Sequence, residues 1–402
     1  MPILNVVLGD CPKCRGTRSY GIVDVWGSLV SRACTRCAHR ERIPLPEIRK
    51  RIIYLDQHFL SHAFRRGDPR FVAAASKVKR LGAMQVVASP YSSLHEDESL
   101  LAGDNAADLM EFVRRTCGWH ELRAAYRVQH SQVLRAFRAF RAANPSSSHV
   151  DQGDAVPSEI HQWDGYLHVG VRRPATDTKV LAETKQESTR QLVDTVFPSW
   201  RGSTTKFSDD VIAELDAAGD QYMHAYADLL VRLRSPDPLA YLTGPVAGSV
   251  VESMVVSLTS AGTEAKNAIA ICQSYFRSSH FRRVPYHDLT ARMHASLKRQ
   301  VKNGAFRDRQ LAIDRLSGFF FDVEHVATYA PYSDAIFLDN AMAELLAQAC
   351  NAVRGRYSFR VFSSRTMTQF ADWLLQLEAE IPSGHLDALA MAYPHQNWRL
   401  QE

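Results

Sequence analysis

Arg51-Ile52-Ile53-Tyr54-Leu55-Asp56-Gln57-His58 is a short apolar run that stops at a carboxylate. A helical pattern follows, with Phe59, Leu60, Ala63 and Phe64 on one side. The run predicts a buried strand and the sequel a helix. In open α/β sheets, ligands gather beyond the carboxyl ends of the strands. An acid at that point therefore raises the question of which other acids reach it.

Four more stand in suggestive places. Met84–Ala88 reads as the next strand, with Ser89-Pro90 opening a helix that carries Glu96. Asp322 falls at or near a helix start after Phe320-Phe321. Asp334 precedes an apolar strand, Ala335–Leu338, that again ends in an acid, Asp339. A helix from Asn340, a strand over 357–363 and a closing helix over 367–379 complete this half. Each acid alone reads as a cap, a turn former or a solvated side chain. Together, several carboxylates at one sheet edge repel each other unless a divalent cation lies among them. Hard oxygen ligands suit Mg²⁺ or Mn²⁺. His58, His95 and His325 lie near these acids and are candidate phosphate contacts, although buried structural histidines are the commoner case.

The order of strand–Asp–helix, strand–helix–Glu, Asp at a helix start and strand–Asp–helix resembles the PIN-like nucleases. Asp56, Glu96, Asp322 and Asp339 fall on that family's acidic positions. Asp334 is similar to an extra acid of some variants and is an alternative to Asp322. The resemblance covers roughly residues 51–100 and 306–380. It implies a PIN-like parallel-sheet α/β/α domain with these five acids as catalytic metal ligands. It further implies hydrolysis of phosphodiester bonds, RNA before DNA, and by analogy a toxin or phage-defence role. A non-catalytic nucleic-acid- or protein-binding adaptor and a small-substrate phosphohydrolase are the alternative readings.

Ahead of this lies a second motif. Cys11-Pro-Lys-Cys14 and Cys34-Thr-Arg-Cys37 are separated by 19 residues, a spacing that suits one four-cysteine zinc. Four thiolates fill a tetrahedral site, so the zinc is structural. Tyr20–Trp26 and Leu29–Arg32 are suited to a hairpin turning at Gly27-Ser28. Lys13, Arg15, Arg18, Arg32, Arg36, Arg40 and Arg42 surround the motif. They suit phosphate contacts, while a ribbon that merely docks on the body or on a protein is the other reading.

The division expected is a zinc ribbon (1–50), two halves of one catalytic domain (51–100 and 306–402) and a helical insertion (101–305). The insertion is a candidate surface for a regulatory protein or a homodimer. Its Arg135, Arg138 and Arg141 form a basic stripe that suits either a nucleic-acid groove or plain solvation. Among 402 residues of net charge +5, residues 1–80 hold 16 Lys and Arg against 6 Asp and Glu. A basic N-terminal part fits a polyanion. No run of ~20 apolar residues marks a membrane span. The N-terminus lacks the pattern of a signal peptide, so a cytoplasmic protein is expected. Cys117, Cys272 and Cys350 are expected to be buried small hydrophobes.

Overall fold

The computed structural model describes residues 1–144, 150–166, 178–234, 246–349 and 356–396. It contains two four-stranded sheets. The first is antiparallel: β1 (Val6–Gly9), β2 (Tyr20–Trp26), β3 (Leu29–Cys34) and β4 (Arg40–Pro44) pair in sequence order. The predicted hairpin is β2–β3, with Trp26 opposite Leu29. Strands β1 and β4 extend it on either side.

The second sheet is parallel, with β5 (Arg51–Leu55), β6 (Val87–Ala88), β7 (Ala335–Phe337) and β8 (Arg360–Phe362) in the order β6-β5-β7-β8. From β5 the chain passes first to one side and later to the other. The topological switch point therefore lies between β5 and β7, where the crevice of such a sheet forms. Side chains alternate across β5. Ile52 and Tyr54 join a core with Leu289, Met293, Val326, Tyr329 and Ile336. Ile53 and Leu55 join the opposite core with Phe59, Phe71, Phe337 and Phe370. Both faces are covered, which explains why the strand reads as an unbroken apolar run.

The helices of the second core are α1 (Gln57–Arg65), α2 (Pro69–Ala83), α4 (Ala106–Thr116) and Met367–Ala379. The last of these has the predicted bounds. On the other side, Pro285–Lys302 and Phe319–Tyr329 pack over the sheet. Pro285–Lys302 belongs to the segment read as an insertion, yet it contributes Leu289, Met293, Leu297 and Val301 to this core. Helix α5 (Ala125–Arg141) and the helices Phe207–Arg234, Val246–Ser260 and Ala265–Phe276 build a separate core around Tyr222, Met254, Tyr275 and Phe276. Cys117 and Cys272 are buried, while Cys350 and the loop expected at 236–245 lie outside the described residues. No described helix is long and apolar enough to cross a membrane.

One boundary differs from the sequence expectation with consequences for the site. The helix after β6 is not opened by Ser89. It is α3, Ser93–Leu100, with Ser92 as the N-cap. His95 explains the delay. Its Nε2–H donates to the Leu55 carbonyl at 2.7 Å, and its Nδ1 accepts from the Ser92 backbone N–H at 3.0 Å. These bonds tie the first turn of α3 to the end of β5.

Candidate metal centres

The four cysteines come together. Their sulfur atoms lie within 4.8 Å of one another, with Cys11 and Cys37 at 3.7 Å and Cys14 and Cys34 at 3.7 Å. The Arg36 backbone N–H donates to Cys34 Sγ at 3.2 Å, the kind of bond that steadies a thiolate. The cluster can hold one zinc ion. The sheet carrying it is docked on the body: Ile22, Val25 and Val30 bury against Met84, Trp163, Leu389 and Tyr393. Trp163 Nε1–H donates to the Pro46 carbonyl at 2.8 Å. Lys13, Arg15, Arg18, Arg36, Arg40 and Arg42 remain exposed; Arg32 is half-buried and reaches the Met391 carbonyl at 3.4 Å.

At the switch point, Asp56 is buried at the end of β5. Its Oδ1 accepts from the Phe59 N–H at 2.8 Å, capping α1, and its Oδ2 accepts from the Asp339 N–H at 2.9 Å. The capping reading of Asp56 is therefore satisfied, and the same carboxylate fastens the end of β5 to the end of β7. Asp339 Oδ1 in turn accepts from Met342 N–H at 2.6 Å. Burial pushes the Asp56 carboxyl well above the usual range, and the nearby Asp339 and Glu98 push it further. Asp322, in the first turn of Phe319–Tyr329, is raised likewise by burial and then by Glu98, Asp339 and Asp56. No described group donates a hydrogen bond to its carboxylate.

The acid of α3 that acts on these groups is Glu98. Glu96 is ion-paired with Arg114 at 3.1 Å and does not join them. With 3.6 residues per turn, positions 96 and 98 lie about 200° apart around the helix. The start at Ser92 fixes the phase, and the face toward Asp56 carries His95 and Glu98. Asp334 also lies elsewhere. Its carboxylate accepts from the Ile52 N–H at 2.8 Å and pairs with Arg51 at 2.9 Å, at the opposite end of the parallel strands. Four residues of strand, about 13 Å, separate Ile52 from Asp56.

Glu98 is held by two cations or donors. Its Oε2 accepts from His325 Nε2–H at 3.1 Å, and Lys185 Nζ stands 3.7 Å from its Oε1. Burial raises the Glu98 carboxyl, but His325 and Lys185 outweigh that and hold it below the usual range. His325 Nδ1 hydrogen-bonds the Tyr54 hydroxyl, which reaches Ser92 Oγ at 2.9 Å. Buried His325 and His95 thus brace the site from beneath, and neither is placed to touch a phosphate. Burial and then His325 hold the His95 imidazole down at about 3. His58 is half-buried, its ring 4.4 Å from that of His62.

Lys185 comes from α6 (Thr178–Gln191), and its ammonium also lies 4.8 Å from the centre of the Phe321 ring. Sequence reasoning missed it because nothing local links residue 185 to residue 98. Of the basic stripe on α5, Arg135 pairs with Asp154 at 2.5 Å and Asp151 at 3.1 Å.

Among the described residues, no three acidic side chains bring ligand atoms within 4.8 Å of one another, unlike the cysteines. Among the described residues, Asp322, to which none donates a hydrogen bond, and the second oxygen of Asp339 have freedom to ligate. Compared with protein-family models, curated proteins and solved structures, the chain matches none of them.

Proposed function

We propose that the protein is a Mg²⁺- or Mn²⁺-dependent nuclease, with RNA as its substrate before DNA and a PIN-like catalytic domain. One observation carries this reading. Asp56 and Asp339 follow neighbouring parallel strands at the switch point and are joined by a hydrogen bond, and the charges of Glu98 and Asp339 act on Asp56 as those of Glu98, Asp339 and Asp56 act on Asp322. A carboxyl well above its usual range, on account of burial and like charges, is a group that favours an added positive charge.

Each residue has a role in this scheme. Asp56 fixes the ends of β5 and β7 and sets the spacing of the site. Asp322 and Asp339 present oxygens to a divalent ion. Glu98, oriented by His325, completes the ring of charge. A bound ion supplies Lewis-acid polarisation of a phosphate oxygen and a water of lowered pKa. Lys185, 3.7 Å from Glu98, meets the incoming phosphate in this scheme. The zinc ribbon is structural, and its exposed Lys and Arg side chains suit contacts to the phosphate backbone.

The test is cleavage of labelled RNA, single-stranded DNA and duplex DNA with Mn²⁺ or with EDTA. Mn²⁺-dependent cleavage of RNA that is lost in Asp56→Asn supports the proposal. Mn²⁺-dependent binding of RNA without cleavage favours an adaptor. Undiminished cleavage by Asp56→Asn rejects the mechanism.

A further inference from the structure

Beside the acidic site lies a cavity of about 400 Å³ lined by Ser188, Gln191, Trp200, Glu214, His294 and Phe320, among others. Its size falls in the range of small-molecule sites. Two of the elements that form the acidic site also form this cavity. Ser188 is three residues after Lys185 on α6, about 4.5 Å further along the helix axis. Phe319 and Phe320 stand immediately before Phe321, on which Lys185 rests, and Asp322. The cavity therefore shares two of its helices with the lysine and the carboxylates.

The chemistry of the walls is mixed in a particular way. Trp200, Phe319 and Phe320 provide aromatic surface, and the His294 ring lies 5.6 Å from that of Phe319, tilted by 31°. Glu214 and His294 pair at 3.3 Å on one wall. Ser188 and Gln191 add a hydroxyl and an amide. Aromatic faces with a few hydrogen-bonding groups are what an unstacked nucleobase needs. A phosphate would be repelled by Glu214, whereas a base can offer it an amino group or a ring N–H.

We infer that this cavity is a nucleobase-binding subsite, which takes a base of single-stranded nucleic acid next to the phosphate that Lys185 and the acids receive. The inference rests on the nuclease reading for what lies beside the cavity, and it restricts the substrate to single strands or loops. A base within a duplex has no free face for these rings.

The experiment uses the full chain carrying Asp56→Asn, in EDTA, with a fluorescein-labelled single-stranded decaribonucleotide and a duplex of the same length. Stacking contributes about 1–3 kcal/mol per base, or roughly 5- to 150-fold in Kd. Phe320→Ala, which removes a wall, and Ser188→Trp, which fills the space, are each expected to weaken single-strand binding about 10-fold. Duplex binding is expected to stay unchanged. In a parallel arm, 4-thiouridine in the oligonucleotide is expected to photo-crosslink to residues 188–200, 214, 294 or 319–320, a readout independent of any folding defect. Unchanged affinity in both variants, crosslinks elsewhere, or no binding of the single strand overturns the inference. If Asp56→Asn cleaves like the parent, the nuclease reading falls while crosslinks to the cavity uphold the subsite. If cleavage needs Mn²⁺ and Asp56 but crosslinks map elsewhere, the subsite alone falls.

Discussion

The backbone N–H of Asp339 donates to Oδ2 of Asp56 at 2.9 Å, so the acid that ends β5 binds the chain where β7 ends. Asp56→Asn keeps an oxygen for the Phe59 N–H but turns an amide NH₂ toward Asp339. The expected cost is about 1–2 kcal/mol of stability, together with loss of Mn²⁺-dependent cleavage. Thermal melting and a cleavage assay on the same preparation check both parts.

Glu98 and Glu96 give a sharp pair. Glu98→Gln is expected to reduce Mn²⁺ affinity and cleavage, whereas Glu96→Gln, which weakens the pair with Arg114, is expected to leave both unchanged. His325→Leu removes the donor that orients Glu98 and is expected to weaken Mn²⁺ about 10- to 100-fold. Calorimetric titration of Mn²⁺ into the three variants decides. Equal effects at 96 and 98 would contradict the phase of α3.

Asp322 makes a pH prediction. Its carboxyl is raised by burial and by Glu98, Asp339 and Asp56, so folding favours its protonated form. The stability this contributes is full below the unfolded value of about 3.9 and is lost as pH rises through the raised folded value. Asp322→Asn mimics the protonated group. In buffer free of divalent ions it is expected to melt above the parent at pH 8, with the gap closing toward pH 4. Thermal melts across that interval measure it, and a variant that melts lower at pH 8 would show that the charge is not strained.

Purified protein is expected to carry one zinc per chain by elemental analysis. Cys14→Ser or Cys34→Ser is expected to lose it and to expose Leu389 and Tyr393, which the ribbon sheet covers. Faster amide exchange over residues 383–392 reports that exposure.

Lys50 and Asp164 form a buried pair at 2.6 Å, with the Lys50 side chain wholly inaccessible. Gln85 Nε2–H and His120 also contact the Asp164 carboxylate, at 3.0 and 3.2 Å. Burial lowers the Lys50 ammonium, and Asp164 opposes that. Asp164→Asn strands the ammonium and is expected to cost about 3–5 kcal/mol, read as a lower denaturation midpoint. Lys50→Met leaves Asp164 its other partners and is expected to cost less.

Much of the scaffold was legible because the parallel strands are buried on both faces and end in acids. Arg51–Leu55 with Asp56, and Ala335–Phe337 with Asp339, carry that signature in a few residues. Glu98 was not legible. The run Leu94-His95-Glu96-Asp97-Glu98 offers three acids, and only the phase of the helix chooses among them. That phase depends on Ser92 and His95 gripping β5, a tertiary contact. Asp334 misled for a related reason: an acid before a strand and one after it look alike in sequence but lie at opposite sheet edges. Lys185 and the neighbouring cavity arise from residues brought together over long separations, which a local pattern does not encode.

The apolar face of the N-terminal sheet is covered in part by Ser383–Ala392, so this sheet waits for a helix made much later in the chain. During translation that face emerges unclad and stays so while the central helices are synthesised. The cysteine cluster can close around its ion early, but the seam with the body is sealed only when Ser383–Ala392 leaves the ribosome. Synthesis through residue 392 is thus built into the assembly order, and a product that stops short of it leaves Ile22, Val25 and Val30 without part of their cover.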